Sequence, residues 1–156
     1  MQVRRVVTGH DASGRAVVQI DDVLQGKQTR PGAAATAIWT TESFPVDNTG
    51  EQDEAQRQVG TTLANGTIFR VLELSPGNAA RVHRTDSIDY AAVMSGEIDM
   101  ELEQGEFVHL KAGDVLVQRG TTHNWVNSGS QPCTIAFVLI DAQPVTVSGR
   151  TLHATG

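Results

Sequence analysis

An all-β fold of the sandwich or jelly-roll kind is predicted by three features of this 156-residue sequence. Runs rich in Val, Thr and Ile recur at strand length, as expected for residues that pack well on a pleated surface. Gly, Asn, Asp and Pro punctuate them at short intervals, too short for helices to develop between them. In EIDMELE, Ile98, Met100 and Leu102 alternate with Asp99, Glu101 and Glu103, which gives one apolar and one charged pleat face. Many short strands at such spacing form a sandwich or a jelly roll, and a chain of this length forms a single domain.

The elements follow in chain order. VRRVVTG and RAVVQID read as two strands around the turn HDASG, ATAIWTTE as a third and TIFRVLELSPG as a fourth. Residues 22–34 and 43–66 are rich in Gln, Gly, Thr, Asn and Asp and read as loops able to cover a barrel mouth, with EQDEAQRQ the one helix-compatible stretch. EIDMELEQGEFVHL is a hairpin turning at Gln104 and Gly105. KAGDVLVQRG, HNWVN and TIAFVLI complete the strands; the last, apolar on both faces, is expected to be central and covered. Residues 1–66 are therefore expected to pack on or extend a core barrel of residues 67–141, with 142–156 as a tail.

Composition excludes several function classes. A formal charge of −6 offers no basic field for phosphate backbones or anionic lipid, so neither nucleic acid nor a membrane is an expected partner. No run approaches the roughly eighteen apolar residues of a span, and MQVRRVVTGH lacks the apolar core of a signal peptide. Cys133 has no second cysteine to pair with and reads as a small buried apolar residue, consistent with the cytoplasm.

The chemistry-bearing residues lie in GNAARVHRTDSIDYAAVMSG (77–96) and GDVLVQRGTTHNWVN (113–127). Gly77, His83 after five intervening residues, Asp89, and Gly96 after six more mark the first segment; Gly113, Gly120, His123 and Asn127 mark the second, 16 residues further on. These resemble the two motifs of the cupins, small jelly-roll barrels also described as double-stranded β-helices. The likeness covers roughly residues 67–141 and places an irregular N-terminal extension before the barrel. It departs from the family pattern at three points: Thr85 stands in place of the second histidine, Asp89 in place of glutamate, and Gln118 in place of proline in a second motif one residue short. Carried over position by position, the resemblance leaves His83, Asp89 and His123 as the metal and catalytic set, and it implies pairing of two copies through an N-terminal strand.

Two imidazoles and one carboxylate on a rigid β-scaffold suit one Fe, Mn or Zn ion, with positions left open for water or substrate. Asp89, a methylene shorter than glutamate, could instead orient a histidine. If extended, Arg81, His83 and Thr85 share a face, as do His123, Trp125 and Asn127. Arg81, Thr85, Trp39, Trp125 and Asn127 are thus candidates to line a pocket, Arg81 by gripping a substrate carboxylate or enolate, or else by forming a rim ion pair. Arg84 flanks His83 on the other side, and Arg119, beside Gly120, shares the ambiguity of Arg81, with a turn position as its plain reading. Tyr90 falls on the face opposite Asp89, which makes it a poor acid. His10, His109 and His153 read as structural. The expected function is that of a cytoplasmic homodimer using a divalent metal on a small carboxylate, phenol or diketone-like metabolite, by oxygenase, decarboxylase, dehydratase or isomerase chemistry. Two alternatives stand beside it: a metal-independent His and Asp acid/base isomerase or lyase, and a non-catalytic small-molecule binder.

Overall fold

The alternation read along the sequence becomes thirteen strands in the computed structural model, which describes residues 1–156. β1 (Gln2–His10) and β2 (Ala16–Gln25) form a long hairpin around the expected HDASG turn. β3 (Lys27–Arg30), β4 (Ala33–Thr41), β5 (Thr67–Leu74) and β6 (Ser87–Ser95) follow. β7 (Glu97–Glu101), β8 (Phe107–Lys111), β9 (Val115–Arg119) and β10 (Asn124–Val126) come next, then β11 (Cys133–Asp141), β12 (Val145–Val147) and β13 (Arg150–Leu152). A six-stranded sheet in the order β3-β4-β5-β11-β6-β9 and a three-stranded sheet in the order β10-β7-β8 enclose the core. No helix is long and apolar enough to cross a membrane.

Local chemistry explains the turns. Gln104 and Gly105 lie between β7 and β8 with φ of 60° and 82°, the left-handed region that a tight hairpin requires and that glycine enters without a Cβ penalty. EQDEAQRQ shrinks to a single 3-10 turn at Glu54–Gln56, started by Asp53 accepting from the Ala55 N–H at 3.1 Å.

Packing confirms the inward parity of the central strands. On β7, Ile98 and Met100 are buried and contribute to a core that includes Ile68 and Leu74 of β5, Val93 of β6 and Ile135 and Phe137 of β11. β11 is central, between β5 and β6. Its inward face, including Cys133, is fully buried, but its outward residues Ala136, Val138 and Ile140 are only half covered.

Two stretches read as irregular turn out to be paired. Residues 22–34 contain the end of β2, all of β3 and the start of β4, because Lys27 and Gln28 find backbone partners in Ala35 and Ala34. The polar side chains there face solvent from an edge strand, an arrangement that discourages further pairing. The tail folds as a hairpin of β12 on β13, and Thr155 exchanges two backbone hydrogen bonds with Arg84 at 2.9 and 3.0 Å.

Arg5 joins the β1–β2 hairpin to the rest. Its side chain, 1% exposed, forms bidentate contacts with Asp22 at 2.7–3.0 Å and with Asp53 at 2.6–3.0 Å, and donates to the Ile38 carbonyl at 3.3 Å. The guanidinium holds the Asp53 carboxyl down to about 2. Arg5→Met is expected to lower unfolding free energy by about 2–4 kcal/mol in urea titration, since it strands two carboxylates around a buried position; a loss under about 0.5 kcal/mol would show that other contacts hold the hairpin.

Candidate active site

The site begins with a backbone pairing outside the named strands. His83 and His123 are directly opposite in an antiparallel bridge, His83 N–H donating to the His123 carbonyl at 3.1 Å and His123 N–H to that of His83 at 3.0 Å. Residues so paired project to the same side. Their rings lie 4.3 Å apart between centroids, at 50° to each other.

Each imidazole is oriented by a carbonyl two residues earlier. His83 Nδ1 lies 3.1 Å from the Arg81 oxygen and His123 Nδ1 lies 3.0 Å from the Thr121 oxygen. A carbonyl only accepts, so in both rings Nδ1 carries the proton and Nε2 keeps its lone pair. Burial, with the neighbouring His123 and Arg81 charges adding to it, lowers the His83 pKa to about 4; burial lowers that of His123 as well. Both rings are therefore neutral at physiological pH.

Asp89 reaches the site from β6, where Ser87, Asp89 and Ala91 alternate inward and Thr85, just before the strand, is buried beside them. Ser87 Oγ is 2.6 Å from Asp89 Oδ1 and 2.8 Å from Thr85 Oγ1, and Gln118, directly across on β9, donates from Nε2 to Asp89 Oδ2 at 3.2 Å. Burial raises the Asp89 pKa, opposed by the Ser87 hydrogen bond and by the charge of Arg70.

His83, His123, Thr85 and Asp89 line one cavity of about 350 Å³, with Ser87 and Gln118 behind the carboxyl. Its apolar wall is Leu72, Trp125, Phe137 and Leu139, with Trp125 edge-on to both His123 and Phe137 at 6.2 and 5.6 Å. A neighbouring hollow of about 590 Å³ shares Thr85 but has no histidine or carboxylate in its lining, so the titratable chemistry belongs to the smaller cavity.

Of the residues singled out from the sequence, His83, Asp89, His123, Arg81, Thr85 and Trp125 all line this cavity. Trp39 and Asn127 do not. Trp39 follows a register shift in β4 and lines a groove on the other side of the sheet, beside Phe69 and Arg57. Asn127 is a buried loop clasp: its Nδ2 donates to the carbonyls of Leu74 and Gln131 at 2.8 Å, and its Oδ1 accepts from the Gly129 N–H at 3.0 Å. Arg119 lines the larger hollow, and Arg84 lies 3.7 Å from Glu103. Tyr90 is half exposed on the outer face, and His109 pairs with Asp99 at 2.7 Å on the surface. Arg30, Arg70, Ser87 and Gln118 were missed, although Arg70 has the inward parity of Ile68 and Leu72, and Ser87 that of Asp89.

For a divalent ion the fit is partial. The two Nε2 atoms are free and each opposite N–H is held by a carbonyl, as ligating histidines require. A catalytic ion takes three protein ligands, however, and no three His, Cys, Asp or Glu side chains assemble here; Asp89 is engaged by Ser87 and Gln118 instead.

Comparison with known proteins bears on the whole arrangement. The cupin domain family model matches residues 70–140. Phomopsin biosynthesis cluster protein C' of Diaporthe leptostromiformis is 37% identical over 157 residues, covering 95% of this chain and 83% of its own. The cupin-domain-containing oxidoreductase fogC of Aspergillus ruber is 33% identical over 160 residues, covering 97% of this chain and 79% of its own. Among solved structures, the polyketide cyclase RemF of Streptomyces resistomycificus shares the fold, with a TM-score of 0.52 at 16% identity, over 78% of this chain and 77% of that one. The two motifs, the double-stranded β-helix fold and these relatives together make the chain a member of the cupin superfamily.

Proposed function

We propose that the cavity catalyses proton transfer next to a carbonyl in a small metabolite, the step common to isomerisation, cyclisation and dehydration. The observation that carries this reading is Asp89, a carboxyl only 4% exposed that lines the same cavity as two neutral imidazoles. Relatives named for biosynthesis clusters and as oxidoreductases support a role in tailoring a small molecule.

Desolvation makes the Asp89 carboxylate a stronger base than an exposed one. It would take the proton from the carbon beside the carbonyl while the C–H electron pair moves onto the oxygen as an enolate. The same carboxyl returns the proton to a second carbon, so no oxidant or reductant is needed. The Nε2 atoms of His83 and His123 can only accept, and they would hold a substrate hydroxyl or enol O–H. Gln118 and Ser87 fix the carboxyl in place.

A second reading keeps the two imidazoles as the mount for one divalent ion of iron, manganese or zinc. It is supported by their free, adjacent Nε2 atoms. Such an ion would polarise a substrate oxygen.

Exchange of the α-protons of phenylpyruvate and 4-phenyl-2-butanone in D2O, followed by NMR, tests the first reading. The parent is expected to accelerate exchange on at least one probe, and Asp89→Asn to lower that rate by about 100-fold or more; no acceleration on either, or an unaffected variant, would overturn it. Elemental analysis of parent, His83→Ala and His123→Ala tests the second, with near-stoichiometric metal in the parent alone as the supporting result.

Acid should weaken the fold through the histidines. In the unfolded chain His83 takes its proton near 6.5, but in the folded chain only near 4, so its contribution to stability is present above about 6.5 and is lost as pH falls toward 4. His123 acts in the same direction, and Asp89, with its raised pKa, acts in the opposite one. The melting temperature of the parent relative to His83→Gln is therefore expected to fall by a few degrees between pH 7 and pH 4; a constant difference would mean that the ring titrates normally.

A further inference from the structure

The cavity holds an excess of positive charge that the proton-transfer reading does not use. Arg30, Arg70 and Arg81 all line it, against Asp89 as its only acidic residue. In a chain with 18 acidic and 12 basic residues this is the reverse of the overall balance.

Arginines elsewhere are mostly paired. Arg4, Arg5, Arg15, Arg57 and Arg84 each have a carboxylate between 2.6 and 3.7 Å away. Arg119 and Arg150, without such partners, are on exposed strand ends where water serves them. The cavity arginines have neither solution in full. Arg30 Nε donates to the Ala79 carbonyl at 3.1 Å and Arg70 donates from one terminal nitrogen to the Gly60 carbonyl at 2.8 Å. The Arg70 Nε–H is buried with no partner at all. Arg81 engages its surroundings through its backbone, N–H to Asn124 Oδ1 at 2.9 Å and carbonyl to His83 Nδ1 at 3.1 Å, so its guanidinium remains available.

Like charges gathered in a half-buried cavity raise the free energy of the empty site. Burial lowers the pKa of both Arg30 and Arg70; the Arg81 charge adds to it at Arg30, and at Arg70 it adds less than the Asp89 carboxylate takes back. An anion entering the cavity would relieve that repulsion and supply acceptors to guanidinium N–H groups, whose planar fork matches a carboxylate. The wall of Leu72, Trp125, Phe137 and Leu139 calls for an apolar body on the same molecule.

We propose that the substrate is a carboxylic acid with an apolar or aromatic body, its carboxylate held among Arg30, Arg70 and Arg81 and its body against Trp125 and Phe137. This assignment rests on the cavity being the reaction site, and it adds the substrate class.

Calorimetric titration of the full chain with 3-phenylpropionate and with its neutral amide tests the proposal. The acid is expected to bind at least about tenfold more tightly than the amide, and Arg81→Gln and Arg30→Gln each to weaken the acid by about tenfold without changing the amide, as charge-assisted hydrogen bonds imply. Melting curves identify any variant that fails to fold, and Arg81→Lys, which keeps the charge but loses the fork, should recover only part of the affinity. Equal binding of acid and amide, no binding of the acid, or tighter binding of phenylphosphonate than of 3-phenylpropionate would overturn the carboxylate assignment. Exchange on the neutral 4-phenyl-2-butanone is independent of the arginine site, so its persistence would leave the Asp89 chemistry standing while the carboxylate site falls, and the converse result would separate the two the other way.

Discussion

The reciprocal backbone pairing of His83 with His123 is the constraint on which the site depends. Opposed residues of an antiparallel pair must project to one side, so placing either imidazole inside the barrel places the other beside it. Residues 40 positions apart in the chain thereby become ring neighbours 4.3 Å between centroids. The carbonyls of Arg81 and Thr121 then fix both rings in the same tautomer and turn the same nitrogen toward the cavity.

Burial decides the charge state of what that pairing assembles. The imidazoles lose proton affinity and the Asp89 carboxyl gains it, so the pKa values of the two kinds of group approach one another in the cavity. The neighbouring arginines keep their charge, being too basic to lose it even when desolvated. The result is a site whose histidines accept hydrogen bonds, whose carboxyl can move a proton and whose cationic wall draws in an anion. Cross-strand geometry maintains it: Gln118 meets Asp89 because β9 and β6 pair those two residues directly.

The segment before the family match is part of this machinery. Thr29, Arg30, Ala35 and Thr61 line the cavity although the cupin model begins at residue 70. β4 brings Ala35 there by pairing with β5, β3 brings Thr29 and Arg30 by pairing with β4, and the Arg5 contacts to Asp22, Asp53 and the Ile38 carbonyl hold the outer hairpin against that wall. An irregular extension in sequence is therefore a closed side of the pocket in space.

How much was legible varies with the physics of each feature. Period-two alternation carried Ile98 and Met100 inward and Tyr90 outward, because pleat geometry is local and needs no knowledge of partners. The turn at Gln104 and Gly105 was readable for the same reason, since backbone sterics act within a few residues. Parity failed at Trp39, where a register shift in β4 turned the side chain to the other groove, and at Asn127, whose amide closes a loop by contacts with Leu74 and Gln131. Polar strand β3 and the tail hairpin carried no apolar pattern and exist because a partner strand satisfies their backbone. The sequence alone thus determined the strand-rich class, the two motifs and the pair of histidines, all set by local pattern and spacing. Only the tertiary structure decided that Asp89 turns to Ser87 and Gln118, and that Arg30 and Arg70 join Arg81 in one cavity, because burial and cross-strand proximity arise only when distant segments meet.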